Sequence, residues 1–154
     1  MDDNSWVWKL GGFAGFFSLL WNIVMERRRA FEKAVEANLA IGIGAIDRCH
    51  TAGIEYWTAE GRDETAIMQE NAVTRDLALI GTVVQTAVDE GHIKTTRELQ
   101  AGIVAFRRAV SDGAFQSTSK GSEPKRWQRI QDTACKLRIA INTAPRRWIA
   151  NFLG

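Results

Sequence analysis

The chain has 154 residues, 45 % of them hydrophobic, with 20 basic against 18 acidic side chains, two cysteines and two prolines. Two cysteines exclude a disulfide framework, and no repeat or long low-complexity segment is present. Turn signals are few and strict apolar–polar alternation is absent, which predicts an all-α chain: one membrane-buried helix, then a four- to five-helix bundle of roughly 125 residues.

The first element runs from Trp6 to Met25. Leu10 to Met25 carries no charged side chain, with Lys9 before it and Glu26-Arg27-Arg28-Arg29 after it. Some twenty helical residues cover roughly 30 Å, the thickness of a bilayer's hydrocarbon core. Leu10, Phe13, Phe16, Phe17, Leu19, Leu20, Ile23 and Val24 favour insertion by about 3 to 4 kcal/mol in total. Asn22, Ser18 and three glycines oppose it. Trp6, Trp8 and Trp21 lie towards the ends, where indole rings prefer the interface. The expected anchor is residues 1–25, with Trp6, Trp8, Phe13, Phe16, Phe17, Leu20 and Trp21 as its lipid contacts. Gly11 and Gly15 form G-x-x-x-G, a spacing that lets two helices approach closely in lipid. The acidic Asp2-Asp3 start and the lack of a small-x-small site argue against a cleaved signal peptide.

Arg27, Arg28 and Arg29 set the orientation. Basic flanks stay in the cytoplasm, so the short N-terminus is expected outside and residues 26–154 in the cytosol, as a single-pass membrane protein. Reduced Cys49 and Cys135 suit that compartment.

A second segment, Glu26 to about Glu60, steps by three or four through Phe31, Val35, Leu39, Ile43, Ile46, His50, Ile54 and Trp57. No proline separates it from the anchor, so the two can form one helix. A third helix is expected from Glu64 to Glu90, capped by Asp63, with Ile67, Val73 or Thr74, Leu77, Ile80, Val84 and Val88 inward and Gly91 as its stop. A fourth starts at Thr95, where Thr95 and Glu98 have capping-box spacing, and ends near Asp112-Gly113. Residues 113–123 read as a mobile or partner-contacting loop. A fifth helix follows Pro124, with Trp127, Ile130, Ala134, Leu137 and Ile141 inward. Pro145 ends it or opens a short last helix carrying Trp148, Ile149, Phe152 and Leu153.

Charge is uneven: ten acidic and five basic residues from Asp47 to Glu98, then eight basic and two acidic from Lys120 to Arg147. The two regions can pair within the bundle or between subunits. The basic end also suits anionic lipid, with Lys125, Arg126, Arg129, Arg146, Arg147 and Trp148 joining Arg27–Arg29 as candidate lipid or anion contacts.

Catalytic motifs are missing. Cys49 and His50 are adjacent on a helix and diverge by about 100°, which suits no common ion. The sequence holds no phosphate-loop, H-E-x-x-H or G-x-S-x-G pattern. No metal, cofactor or enzymatic activity is expected. The first reading is a membrane-anchored helical protein that acts by association, as a subunit of a membrane complex or an oligomeric membrane-acting effector of the kind bacteria and phages encode. Self-assembly would run through the anchor glycines and the Phe31–Trp57 stripe. The second reading is a soluble oligomer whose basic C-terminus binds nucleic acid.

Overall fold

The computed structural model describes residues 5–113, 115–117, 121–123 and 125–146, with side chains from Gly15 on. These residues form four helices: α1 Ser5–Thr58, α2 Glu64–Asp89, α3 Arg97–Ser111 and α4 Arg126–Thr143. Among the described residues there is no strand, and one isolated antiparallel bridge joins Ile93 to Arg146. The chain divides into two compact units, one through Glu36 and one from Ala37 on. The backbone of α1 belongs to both, as its proline-free sequence permits.

From Ala37 on, the four helices form an up-down-up-down bundle, which the cross-contacts establish. Along α1 and α2, Glu55 meets Gln69, Arg48 meets Asp76, and Gly42 meets Val83. The numbers rise on one helix as they fall on the other, so the pair is antiparallel. Gly102 against Leu137 and Ala109 against Arg126 set the same relation for α3 and α4. Asp47–Arg138 and Gly53–Ile130 close the ring between α1 and α4. At Gly53 α1 lies close against α3: a Cβ there would lie 2.9 Å from Cγ1 of Val110.

Within the α1 stripe Leu39, Ile46 and Trp57 are buried inside this bundle, so these three side chains are not free to hold other copies. Ala45, Cys49, Ala52 and Tyr56 join Leu39, Ile46 and Trp57 in the core, while Ile43, His50 and Ile54 are only half-buried. The stripe sits slightly around the helix from its expected line, because small residues bring the backbones together where Ile43 and Ile54 would hold them apart.

On α2 the inward residues are Ala66, Glu70, Val73, Asp76, Ile80, Val84 and Ala87. Ile67, expected inward, is exposed. Asp63 caps α2 through Ala66 N at 2.8 Å, as expected. Gly91 follows at φ 69°, a conformation that costs glycine nothing. The α3 cap is Thr96, not Thr95: its Oγ1 accepts from Leu99 N at 3.1 Å. Glu98 then falls at the second helical position, one short of capping-box reach. Trp127 is 41 % exposed, since it stands in the first turn of α4 at the bundle's end. The short last helix expected after Pro145 lies outside the described residues.

The connection between α3 and α4 is held where it is described. Gln116, at φ 65°, donates its N–H to Tyr56 Oη at 3.0 Å. Phe115 packs its ring 5.1 Å from that of Tyr56. Glu123 N donates to Trp57 O at 2.8 Å, and Ser122 Oγ to Thr58 O at 3.1 Å. The end of α1 thus supplies both a ring and its last carbonyls to a segment expected to be mobile.

Candidate functional site

The most unusual surface lies near the start of α1. Phe16, Phe17, Leu19, Leu20, Trp21 and Ile23 are each between 42 % and 65 % exposed. At about 100° per residue they sweep roughly 200° of the helix circumference. Gly15, Ser18 and Asn22 occupy much of the remaining side. Completing the burial of these six side chains is worth about 5–10 kcal/mol, so water is a poor medium for this segment. Arg27, Arg28 and Arg29 follow directly, all exposed, with Arg28 bonded to Glu32 at 2.9 Å.

Among the described residues, no helix is long and apolar enough to cross a membrane. Ser18, Asn22 and the charges from Glu26 onward dilute the apolar run. The side chains of Trp6, Trp8, Gly11 and Phe13, four of the expected anchor and association residues, lie outside the described set. Gly15 is within it and has open space around it: a Cβ added there would meet nothing within 4 Å.

The basic end is not one patch. Lys125 and Arg129 are exposed and line an open pocket of about 400 Å³ with Glu123 and Arg126. They sit beside the end of α1. Arg146 sits past the other end of the 18-residue α4, about 27 Å away along the axis. That is the end at which the chain enters the bundle near Leu39. There Lys94 N donates to Pro145 O at 2.7 Å. Arg147 and Trp148 lie outside the described residues.

Arg126, expected to meet lipid or an anion, is instead a structural cation with a side chain only 9 % exposed. Its guanidinium donates to the carbonyls of Ala109 at 2.8 Å, Arg108 at 3.2 Å and Asp112 at 2.6 Å. It lies 3.8 Å over the Trp57 ring and bonds Glu123 at 3.3 Å. Trp57 Nε1 donates to Val110 O at 2.7 Å. Together these two side chains supply donors to carbonyls at the end of α3, where Arg108 O accepts from Asp112 N as well.

The expected pairing of acidic middle with basic end occurs within the chain at Asp47–Arg138. Two buried acids were not singled out from sequence. Glu70, 2 % exposed, takes both arms of the Arg62 fork at 2.9 and 2.7 Å. That bond holds Arg62 in its charged form, raising its pKa. Fully buried Asp76 is bonded by Arg48 at 3.2 and 3.3 Å and by Arg75 at 3.4 Å. The signal was their phase: both acids fall in register with the apolar stripe of α2, a place that demands a partner.

These titratable groups fit structure rather than reaction. Burial, reinforced by Asp76, pushes the Cys49 thiol up to about 12, the reverse of an activated nucleophile. Burial raises the Tyr56 phenol as well. Burial and then Arg138 lower the His50 pKa, against the pull of Asp47. Among the described residues, no three His, Cys, Asp or Glu side chains converge as a metal site. The chain shows no significant similarity to any protein-family model, curated protein or solved structure.

Proposed function

We propose that this is a membrane-associated helical protein that works by association. The start of α1 enters lipid, and the bundle from Ala37 onward presents the surface on which partners or further copies assemble. One observation carries this reading: six large apolar side chains from Phe16 to Ile23 are exposed around most of the helix circumference. The basic run Arg27–Arg29 supports it, because such a flank anchors the cytoplasmic side of an inserted helix. The proposed topology puts the N-terminus outside and the bundle in the cytosol. The nucleic-acid alternative draws less support. Arg126 is engaged at the end of α3, and Lys125 and Arg129 stand a helix length from Arg146.

Vesicle flotation tests the proposal. The full chain should float with vesicles containing anionic lipid and resist carbonate extraction. Phe17→Arg should shift most of it to the soluble fraction or abolish its accumulation. A Phe17→Arg protein as abundant and as membrane-bound as the parent refutes the reading. Binding of short duplex DNA or RNA in place of vesicles transfers support to the alternative.

A further inference from the structure

A second apolar surface lies on the outer side of α3 and α4, a groove of about 420 Å³. Its floor is Ala101, Gly102 and Ala140, where small side chains leave the two backbones close to the surface. Gly102 lies so near α4 that a Cβ there would be 3.4 Å from Leu137 Cδ1. Beside the floor stands Ile139, 55 % exposed. A solvated helix face has no use for this combination.

The rim shows what fits. Gly102 opposite Leu137 sets the level of the two antiparallel helices. On that scale Glu98 and Thr143 lie near one end of the groove, Ala105 and Lys136 near the other. Glu98 and Lys136 therefore occupy opposite corners, on different helices and with opposite charge. A twofold axis in the plane of this face, perpendicular to the line joining them, places each Glu98 against the other copy's Lys136. The same axis runs through the remaining two corners, so Ala105 and Thr143 each meet their own counterpart. Small residues between them allow close approach, and Ile139 is covered.

We infer that the α3–α4 face is an isologous dimer interface with a second copy of this chain. Each Glu98 pairs with the partner's Lys136 around the floor formed by Ala101, Gly102 and Ala140. In a single copy Lys136 bonds Asp132, four residues before it, at 3.1 Å in a well-exposed i,i+4 pair. Such a pair is worth little and is readily exchanged. This interface lies on another face from the α1 stripe, and it does not depend on membrane insertion.

Cysteine cross-linking of the full-length chain tests it, in a Cys135→Ser background. Ala105→Cys and Thr143→Cys should each give, under mild oxidation, a disulfide-linked species of twice the 17.2 kDa chain mass. Thr82→Cys, on the outer face of α2, should stay monomeric. A disulfide needs Cα atoms within about 7 Å, so only residues close to the axis qualify. Glu98→Lys or Lys136→Glu alone should weaken dimerisation about tenfold, since symmetry counts each change twice. The combined Glu98→Lys/Lys136→Glu variant should restore it. Equal cross-linking at Thr82 and Ala105, or a double variant no more dimeric than the single ones, overturns the inference. Those results would leave the Phe17→Arg flotation test untouched, because flotation reads the start of α1 alone.

Discussion

Replacing Arg126 by alanine removes the device that closes the end of α3. The carbonyls of Ala109 and Asp112 lose the Arg126 donor, that of Arg108 keeps only Asp112 N, and the Trp57 ring loses the cation lying 3.8 Å above it. The bond to Ala109 O is the most enclosed of the three, and a charge-assisted hydrogen bond of that kind is worth about 1.5–3 kcal/mol. The carbonyls of Arg108 and Asp112 are nearer solvent and regain water, so each costs about 0.5 kcal/mol. The stacked cation adds about 1 kcal/mol. The expected loss is about 3.5–5 kcal/mol, or roughly 15–20 °C of melting temperature for a bundle of this size. Thermal unfolding followed by circular dichroism and by tryptophan fluorescence measures it. Arg126→Lys should recover little, since an ammonium cannot serve several carbonyls and an aromatic face at once. Arg129→Ala, three residues on and exposed, should stay within about 0.5 kcal/mol of the parent. If Arg126→Ala melts with Arg129→Ala, the capping argument is wrong.

Gly53→Ala should destabilise by about 1–3 kcal/mol, because its Cβ would press on Val110 Cγ1 at 2.9 Å. Gly81→Ala, with nothing within 4 Å, should stabilise by about 0.5–1 kcal/mol; denaturant midpoints compare the two. Exposed Cys135 should react at once with a thiol reagent, while buried Cys49 should react only as the bundle unfolds. Cys135 labelling by a membrane-impermeant reagent in intact and lysed cells then reports which side the bundle occupies. His50 has a lowered pKa in the folded chain, so the unfolded chain binds its proton first as pH falls. Its contribution to stability should be complete above about pH 6.5 and fade below it. His50→Gln should flatten that part of the stability–pH curve; an unchanged slope would mean another group carries it.

All-α architecture was legible in the sequence because helix periodicity, caps and stops are local properties. The bounds of α2, the Asp63 cap and the stop at Gly91 depend on a few neighbouring residues, and those residues suffice. The Thr95 reading failed on the same local scale. Two adjacent threonines both offer a cap, and the tertiary position of Leu99 in the core selects Thr96. Ile67 and Trp127 were assigned inward by spacing alone. Spacing defines a stripe only to within about one residue, and packing chose Ala66 and left Trp127 at the edge.

The apolar run near the start of α1 was also plain from composition, which records the amount of hydrophobic surface without saying what covers it. The tertiary structure decided that Phe16 to Ile23 stand exposed, and that Leu39, Ile46 and Trp57 are buried in the bundle. It also divided the basic end. Lys125, Arg126 and Arg129 looked like one cluster with Arg146 because charge is counted along the chain. Folding turned Arg126 inward onto Trp57 and the end of α3, and α4 separated the others by its own length. Where a charge acts depends on what stands beside it in space. For Arg126, Glu70 and Asp76 those neighbours come from distant parts of the chain or from across a turn, and no pattern along the sequence names them.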